Sequence, residues 1–167
     1  MPRLTIPADK DPLTYVWGTK ATHAGHKAAA FSSAVYDSDT FSLREFEAAR
    51  ITIADVNGCV LCLGWRSGRD VSNRVDQAEE APEEFYDAVL AQRLYALPPR
   101  ERLTADFARK FAVDHHAIDD AMWDDLHAHF TDDEIVELTL AVGAWIAFGR
   151  LNQVLDIDGG CRVGVPG

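Results

Sequence analysis

Two of the three cysteines in the chain, Cys59 and Cys62, stand in the segment NGCVLC with two residues between them. Thiols at this spacing lie within one helical turn, where they can form an intramolecular disulfide. They directly follow Asn57 and Gly58, a pair typical of a helix end, so we expect both thiols in the first turn of the next helix. Unpaired N–H groups and the helix dipole there favour a thiolate and lower the cysteine pKa. The pattern favours redox chemistry, and the alternatives are half of a zinc site or two small apolar residues.

A zinc site would need more ligands than this pair supplies. Structural zinc takes four, so Cys161 and a histidine would have to complete the set. The six histidines form three pairs, none of them near a second Cys-x-x-Cys: His23 with His26, His115 with His116, and His127 with His129. We therefore expect no metal ion, and we interpret Cys161 as an incidental thiol.

The segment before the cysteines carries a glutamate, Glu47, that does not belong to its polar face. On a helical wheel the expected solvent stripe is Glu45, Ala48, Thr52 and Asp55, and the expected core stripe is Leu43, Phe46, Ala49 and Ile53. Glu47 lies outside both, so we expect partial burial. Burial raises the pKa of a carboxylic acid, which would let Glu47 exchange a proton near neutrality. Arg50, one turn later and also turned inward, offers the alternative of a structural ion pair.

The elements that hold these residues are predicted to be helices. No window shows convincing period-two alternation, whereas apolar residues recur at helical spacing in segments 20–35, 42–56, 82–97 and 100–113. A further helix would begin at the cysteines and fade by about Arg74. We predict a compact, orthogonal all-α fold of about six helices.

The chain is predicted to be a single domain, residues 1–167. Prolines and a glycine interrupt residues 1–19, which we expect to form an irregular N-terminal arm. Residues 20–158 would form the helical core, and residues 159–167 a C-terminal tail.

The last helical segment is apolar on every side. Thr131 and Glu134 form a capping box ahead of a helix from Ile135 to Leu155. Its stretch Leu138–Gly149 holds no charged residue, which in a water-soluble chain means burial at the domain centre or against another subunit. The stretch has 12 residues, and a membrane span needs about 20, so a span is the less favoured interpretation.

The charge composition of the chain argues against two classes of binding partner. Sixteen basic and 27 acidic side chains give a formal net charge of −11, which repels phosphate backbones and anionic lipid surfaces. We expect neither nucleic acid nor membrane as a partner. The first residues lack the apolar stretch of a secretory signal, and three cysteines do not make an extracellular disulfide framework. We expect a cytoplasmic protein.

The stretch EAARITIADVNGCVLC, Glu47 to Cys62, resembles the core of the carboxymuconolactone decarboxylase superfamily, in its alkylhydroperoxidase D-like branch. That branch typically has a glutamate twelve positions before the first cysteine of N-G-C-x-x-C, which is the offset from Glu47 to Cys59. Segments 114–126 and 128–157 are also similar, so the likeness covers about residues 20–158. The resemblance implies an all-helical fold whose protomers form trimers or hexamers through apolar helices.

The resemblance also implies a reaction. Cys62 would attack a hydroperoxide, Cys59 would resolve the sulfenic acid as a disulfide, and Glu47 would feed a proton relay. An unknown thiol or dithiol donor would then reduce the disulfide. We expect no cofactor, since the glycine-rich segment at residues 159–167 opens no helix.

The sequence departs from the family pattern at two positions. Arg66 stands where the family usually has a histidine four residues after the second cysteine, and Leu61 replaces a histidine found in some members. Arginine cannot shuttle a proton, but Arg66 could hold the Cys62 thiolate by its charge from position i+4. Three outcomes stay open: a peroxidase with an altered relay, a thiol oxidoreductase acting on another partner, and a binding or redox-sensing protein without turnover.

Two further predictions concern a second enzymatic activity and the position of Trp65. Lactone decarboxylation, the other activity of the superfamily, is disfavoured because that branch lacks the cysteine pair. Trp65 is expected to be a buried core residue rather than the lining of a pocket.

Overall fold

The computed structural model describes residues 2–20, 23–71 and 74–158. Within these ranges it contains no strand and nine α-helices: α1 Pro12–Tyr15, α2 Ala24–Asp37, α3 Leu43–Asn57, α4 Val60–Gly64, α5 Ser67–Asp70, α6 Glu83–Leu90, α7 Pro99–Val113, α8 Asp120–His129 and α9 Asp132–Val154. Six of these helices, α2, α3, α6, α7, α8 and α9, have eight residues or more. The predicted all-α class is confirmed, and the six longer helices match the expected number.

Helix α3 lies at the centre of the fold, between two apolar clusters. The first cluster joins α3 to α2, α7, α8 and α9, with Phe46, Phe107 and Trp145 among its members. The second joins α3 to α6 and α7. Ten of the 15 residues of α3 are buried. Any charge on its inward faces therefore has to be neutralised inside the protein.

The predicted solvent stripe of α3 is wrong at its two middle positions. Ala48 and Thr52 are 0% and 2% exposed, because α7 packs along that side of α3. The Thr52 hydroxyl satisfies its hydrogen-bonding need within the helix by donating to the carbonyl of Ala48. Glu45 and Asp55, the outer members of the stripe, form ion pairs with arginines of α7. A helical wheel that assumes one buried face cannot predict a helix, such as α3, that packs against other helices on two faces.

Local signals place the helix ends well. Ser42 caps α3 in a capping box with Glu45, and Thr131 caps α9 in the same way. Gly58 ends α3 with a φ of 65°, in the left-handed region that glycine adopts at little cost. The break before the cysteines is thus where the sequence predicts it.

The segments on either side of residues 72–73 are more broken than predicted. The helix that begins at the cysteines stops at Gly64, Trp65 and Arg66 are extended, and α5 resumes at Ser67. The segment predicted as a helix over 82–97 ends at Leu90, after which Gln92 has a φ of 55°.

The N-terminal residues are more ordered than the irregular arm we expected. Residues 12–15 form α1, and Val16–Lys20 form a π-helical turn. The Trp17 indole donates to the Asn152 side-chain oxygen at 3.0 Å and packs edge-on against Phe148 at 5.5 Å. These contacts anchor the segment on α9. The predicted C-terminal tail, including Cys161, lies outside the described residues.

Helix α9 does not run through the centre of the domain. It buries Leu138, Val142 and Trp145 on one side, and it exposes apolar residues on the other. Val136, Leu140, Leu151 and Val154 are 59%, 48%, 40% and 75% exposed. Burial at the domain centre is therefore wrong for this helix, and its second apolar face has no cover within the described chain. No helix among the described residues has the length and apolar character to cross a membrane.

Candidate active site

Cys59 and Cys62 are joined in a disulfide at the start of α4. Their Sγ atoms are 2.11 Å apart, and their Cα atoms 5.2 Å. Cys59 is the N-cap of the helix, and its Sγ accepts a hydrogen bond from the backbone N–H of Cys62 at 3.2 Å. Both sulfurs thus lie in the first turn, as predicted. Cys59 is buried, whereas Cys62 is half-buried.

Cys62 lines a cavity of about 150 Å³ between α2, α3, α4 and α9. Apolar residues such as Ile53, Trp145 and Phe148 supply much of its wall, and Tyr36 and Arg50 are among its polar members. An apolar cavity of about this size holds a molecule as large as benzene. The more exposed of the two cysteines therefore lines a space large enough to hold a small molecule.

Glu47 and Arg50 form a buried ion pair beneath this cavity. Arg50 donates through Nε and Nη2 to the two Glu47 carboxylate oxygens, at 2.5 and 2.8 Å. The Ser67 hydroxyl donates to the same carboxylate at 2.5 Å. Both side chains of the pair are almost completely buried, at 0% and 2% exposure. The predicted burial of Glu47 is confirmed, and so is the alternative that Arg50 pairs with it.

The expected rise in the pKa of Glu47 is wrong. Burial acts to raise this pKa, but the charge of Arg50 and the hydrogen bonds from Arg50, Ser67 and Tyr86 outweigh it and lower the pKa. The carboxyl group is therefore ionised at neutral pH. A carboxylate held in this way is an anchor rather than a group that exchanges protons near neutrality.

Arg50 connects the ion pair to the cysteine segment. Its Nη1 donates to the carbonyl of Cys62 at 2.9 Å, and its Nη2 to the carbonyl of Trp65 at 2.7 Å. The guanidinium thus holds the middle and the C-terminal end of α4 on α3. Because Arg50 also lines the cavity beside Cys62, it brings a permanent positive charge into the cavity wall.

Arg66 does not lie one helical turn after Cys62, because α4 ends at Gly64. Its guanidinium donates to the Glu83 carboxylate at 3.0 and 2.8 Å and to the carbonyl of Leu63 at 2.6 Å. It also stacks 3.9 Å from the centre of the Tyr86 ring. The hydrogen bonds from Arg66, together with its charge, lower the pKa of Glu83. The guanidinium that we expected to support the Cys62 thiolate is therefore bound to Glu83 and Leu63 and stacked on Tyr86 instead.

Sequence reasoning missed Tyr36, which lines the cavity with Cys62. Its ring packs edge-on against Phe46 at 5.7 Å and Trp145 at 6.4 Å. Burial raises the pKa of Tyr36, while the nearby charge of Arg50 acts to lower it. No local signal identifies this residue, since it reaches the cavity only through the packing of α2 against the rest of the fold.

Asn57 and Gly149 also line this cavity. The Asn57 amide donates to the carbonyl of Trp145 at 3.1 Å and accepts from Arg150 at 3.1 Å. A Cβ atom at Gly149 would lie 2.5 Å from the Asn57 amide nitrogen. Glycine at position 149 thus allows the last residue of α3 to dock on α9.

Three exposed apolar residues flank the cysteines on the outer surface. Val60 and Leu61 are 54% and 49% exposed, and Trp65 is 38% exposed. Trp65 is therefore not the core residue we expected. Among the described residues, no group of three or more histidine, cysteine, aspartate or glutamate side chains is placed to hold a metal ion.

Comparisons with known proteins place the fold. No protein-family model matches the chain, and no curated protein sequence gives a significant match. A crystal structure from Agrobacterium tumefaciens is similar, with a TM-score of 0.63 and 22% sequence identity over 88% of this chain and 96% of that one. That protein is described as being of unknown function and as a candidate antioxidant defence protein, AhpD. This chain has the same AhpD-like, all-helical fold.

Proposed function

We propose that the protein is a thiol-dependent peroxidase that reduces hydroperoxides with Cys59 and Cys62. The observation that carries this proposal is the disulfide at the start of α4, with Cys62 on the wall of a cavity that admits a small molecule. The AhpD-like fold is consistent with it, as is the antioxidant role suggested for the Agrobacterium protein.

The difference in burial supports Cys62 as the attacking thiol and Cys59 as the resolving one. Cys62 reaches the cavity, whereas Cys59 is 1% exposed and meets no bulk solvent. The backbone N–H that bonds to Cys59 Sγ would favour a thiolate at Cys59, whereas the guanidinium of Arg50, which lines the cavity together with Cys62, favours the thiolate form of Cys62 by its charge. Glu47 acts here as the residue that positions Arg50.

The reaction proceeds in three steps. The Cys62 thiolate attacks the terminal peroxide oxygen, so that an S–O bond forms, the O–O bond breaks, and the alkoxide leaves and takes up a proton. The Cys59 thiol then displaces water from the resulting sulfenic acid and forms the disulfide. A thiol or dithiol donor in the cytoplasm returns both sulfurs to thiols by exchange and is itself oxidised.

Stoichiometric oxidation of the reduced protein tests this function. In a Cys161→Ser background, one equivalent of hydrogen peroxide is expected to remove both remaining thiols. Cys62→Ser is expected to abolish peroxide consumption, and Cys59→Ser to leave a sulfenic acid that dimedone traps on Cys62. Unchanged consumption by Cys62→Ser would refute the proposal.

A redox-dependent binding protein is the second candidate, and the exposed apolar residues Val60, Leu61 and Trp65 favour it. They lie in or beside α4, so a change in the disulfide could alter the surface that they present. Steady-state peroxide turnover with a dithiol donor separates the two functions. Sustained turnover supports the peroxidase, whereas a single oxidation event without turnover supports the binding protein.

We also propose that the protein assembles as a homotrimer or homohexamer through the exposed face of α9. Val136, Leu140, Ala147, Leu151 and Val154 recur three, four or seven residues apart and form one apolar face along the helix. Light scattering after size exclusion tests this assembly. Leu140→Glu is expected to give monomers and Tyr95→Gln, an exposed position in the segment after α6, to leave the oligomer intact; a monomeric wild-type protein would refute it.

A further inference from the structure

We propose that Tyr36 donates the proton to the leaving oxygen of the hydroperoxide, and so replaces the histidine whose position Arg66 occupies. This inference rests on the peroxidase function proposed above. It assigns the acid that the altered relay requires.

The reaction needs an acid, because the alkoxide or hydroxide that leaves is strongly basic. Glu47 is unsuited to this role, since its carboxylate is ionised and accepts hydrogen bonds from Arg50 and Ser67. Arg50 and Arg66 do not release protons in proteins. Among the described residues that line the cavity, Tyr36 is the remaining side chain with a proton acidic enough to transfer.

Tyr36 is held in a defined position in the cavity wall. It lies in the last turn of α2, and its ring is fixed by edge-on contacts with Phe46 and Trp145. Trp145 is 8% exposed, and a hydrogen bond from its indole N–H acts on the Tyr36 hydroxyl, against the larger effect of burial, to lower its pKa. The cavity wall therefore holds a phenol side chain beside an indole N–H group, which would also stabilise the phenolate.

The surroundings of Tyr36 suit a proton donor. Burial raises the pKa of its hydroxyl, so the group is protonated at neutral pH. The Arg50 charge acts in the opposite direction, and it would stabilise the phenolate that forms when the proton leaves. The charged groups that act on it are Arg50 and, more weakly, Glu47.

The proposed step is balanced. As the Cys62 thiolate forms its bond to the terminal oxygen, the electron pair of the O–O bond moves to the leaving oxygen. That oxygen takes the Tyr36 proton and departs as an alcohol. The phenolate then regains a proton from water that enters the cavity.

Leaving-group dependence tests the assignment. Tyr36→Phe keeps the ring and removes the acid, so it is expected to slow oxidation of the reduced protein by tert-butyl hydroperoxide by about 100-fold. Peracetic acid releases acetate, which needs no proton, and its rate is expected to change by less than about threefold. Alkylation of Cys62 by iodoacetamide should be equally insensitive. Tyr95→Phe, at a tyrosine that is 82% exposed, is the matched control and is expected to change none of the three rates.

Each outcome decides a different point. If Tyr36→Phe slows oxidation by tert-butyl hydroperoxide and by peracetic acid equally, the role of Tyr36 is structural. If it slows neither reaction, Tyr36 has no role in the step. Both results overturn the assignment of Tyr36 and leave the peroxidase function standing. A wild-type protein that consumes neither peroxide would overturn both proposals. Circular dichroism melting of Tyr36→Phe shows whether the fold is retained.

Discussion

Replacement of Glu47 by glutamine is expected to lower the free energy of unfolding by about 3–5 kcal/mol, as breaking a buried ion pair does. The substitution keeps the size of the side chain but removes the charge that neutralises Arg50, which is 2% exposed. Two of the four hydrogen bonds that Arg50 donates go to the Glu47 carboxylate. A neutral amide cannot accept the two Arg50 hydrogen bonds and the Ser67 hydrogen bond as well as a carboxylate does. The buried guanidinium therefore loses the negative charge that compensates its own.

Urea and thermal unfolding, followed by circular dichroism, measure this loss. For a chain of this length, about 4 kcal/mol corresponds to a fall of roughly 10 °C in the melting temperature. The pKa of Glu47 is lowered in the folded protein, so its stabilisation is fully present above the unfolded value of 4.5 and is lost as the pH falls through the folded value. The difference between wild type and Glu47→Gln should therefore shrink on acidification below pH 4.5.

Asp55→Asn is the control, because it breaks a partly exposed ion pair at the end of the same helix. Asp55 and Arg109 are 41% and 25% exposed, and pairs exposed to solvent contribute about 1 kcal/mol or less. A loss of no more than about 1 kcal/mol in Glu47→Gln would refute the reasoning, since the buried pair would then behave like a surface pair.

Two further predictions concern the cavity wall and the replaced histidine position. Gly149→Ala places a methyl group 2.5 Å from the Asn57 amide nitrogen and is expected to destabilise by about 1–3 kcal/mol. Gly143→Ala on the same helix meets open space and is expected to stabilise by up to about 1 kcal/mol; equal melting temperatures would contradict this contrast. Arg66→Met is expected to leave the rate of Cys62 alkylation within about twofold of wild type, because the guanidinium is engaged in an ion pair near the surface. A tenfold slower alkylation would instead assign the thiolate support to Arg66.

Local features of the fold could be predicted because their causes are local. The capping boxes at Ser42 and Thr131, and the left-handed turn at Gly58, depend on hydrogen bonds within a few residues. The same applies to Cys59 and Cys62, whose place in the first turn of α4 follows from the break before them. These predictions hold because tertiary contacts add little to a helix terminus.

Properties that depend on several elements could not be predicted in the same way. The wheel for α3 placed Glu47 away from solvent, where burial alone would raise its pKa. The pKa is lowered instead by the charge and hydrogen bonds of Arg50, joined by hydrogen bonds from Ser67 and Tyr86, which other segments bring to it. The extended residues after Gly64 turn Arg66 toward Glu83, whereas sequence spacing alone suggested a place beside Cys62. A helical wheel predicts the side of the helix on which a residue lies. It predicts neither the residues that contact it nor the net effect of the surrounding charges on its pKa.

The sequence by itself determined the helical class, the capped starts of α3 and α9, and the disulfide-forming spacing of Cys59 and Cys62, because all three depend on short-range backbone geometry. Only the tertiary structure decided which cysteine lines a cavity and which cation lines it as well. Packing of α2, α3 and α9 brings Tyr36, Arg50 and Cys62 to one cavity, although they come from three separate helices. Their shared environment depends on long-range packing and desolvation, which residue spacing does not encode.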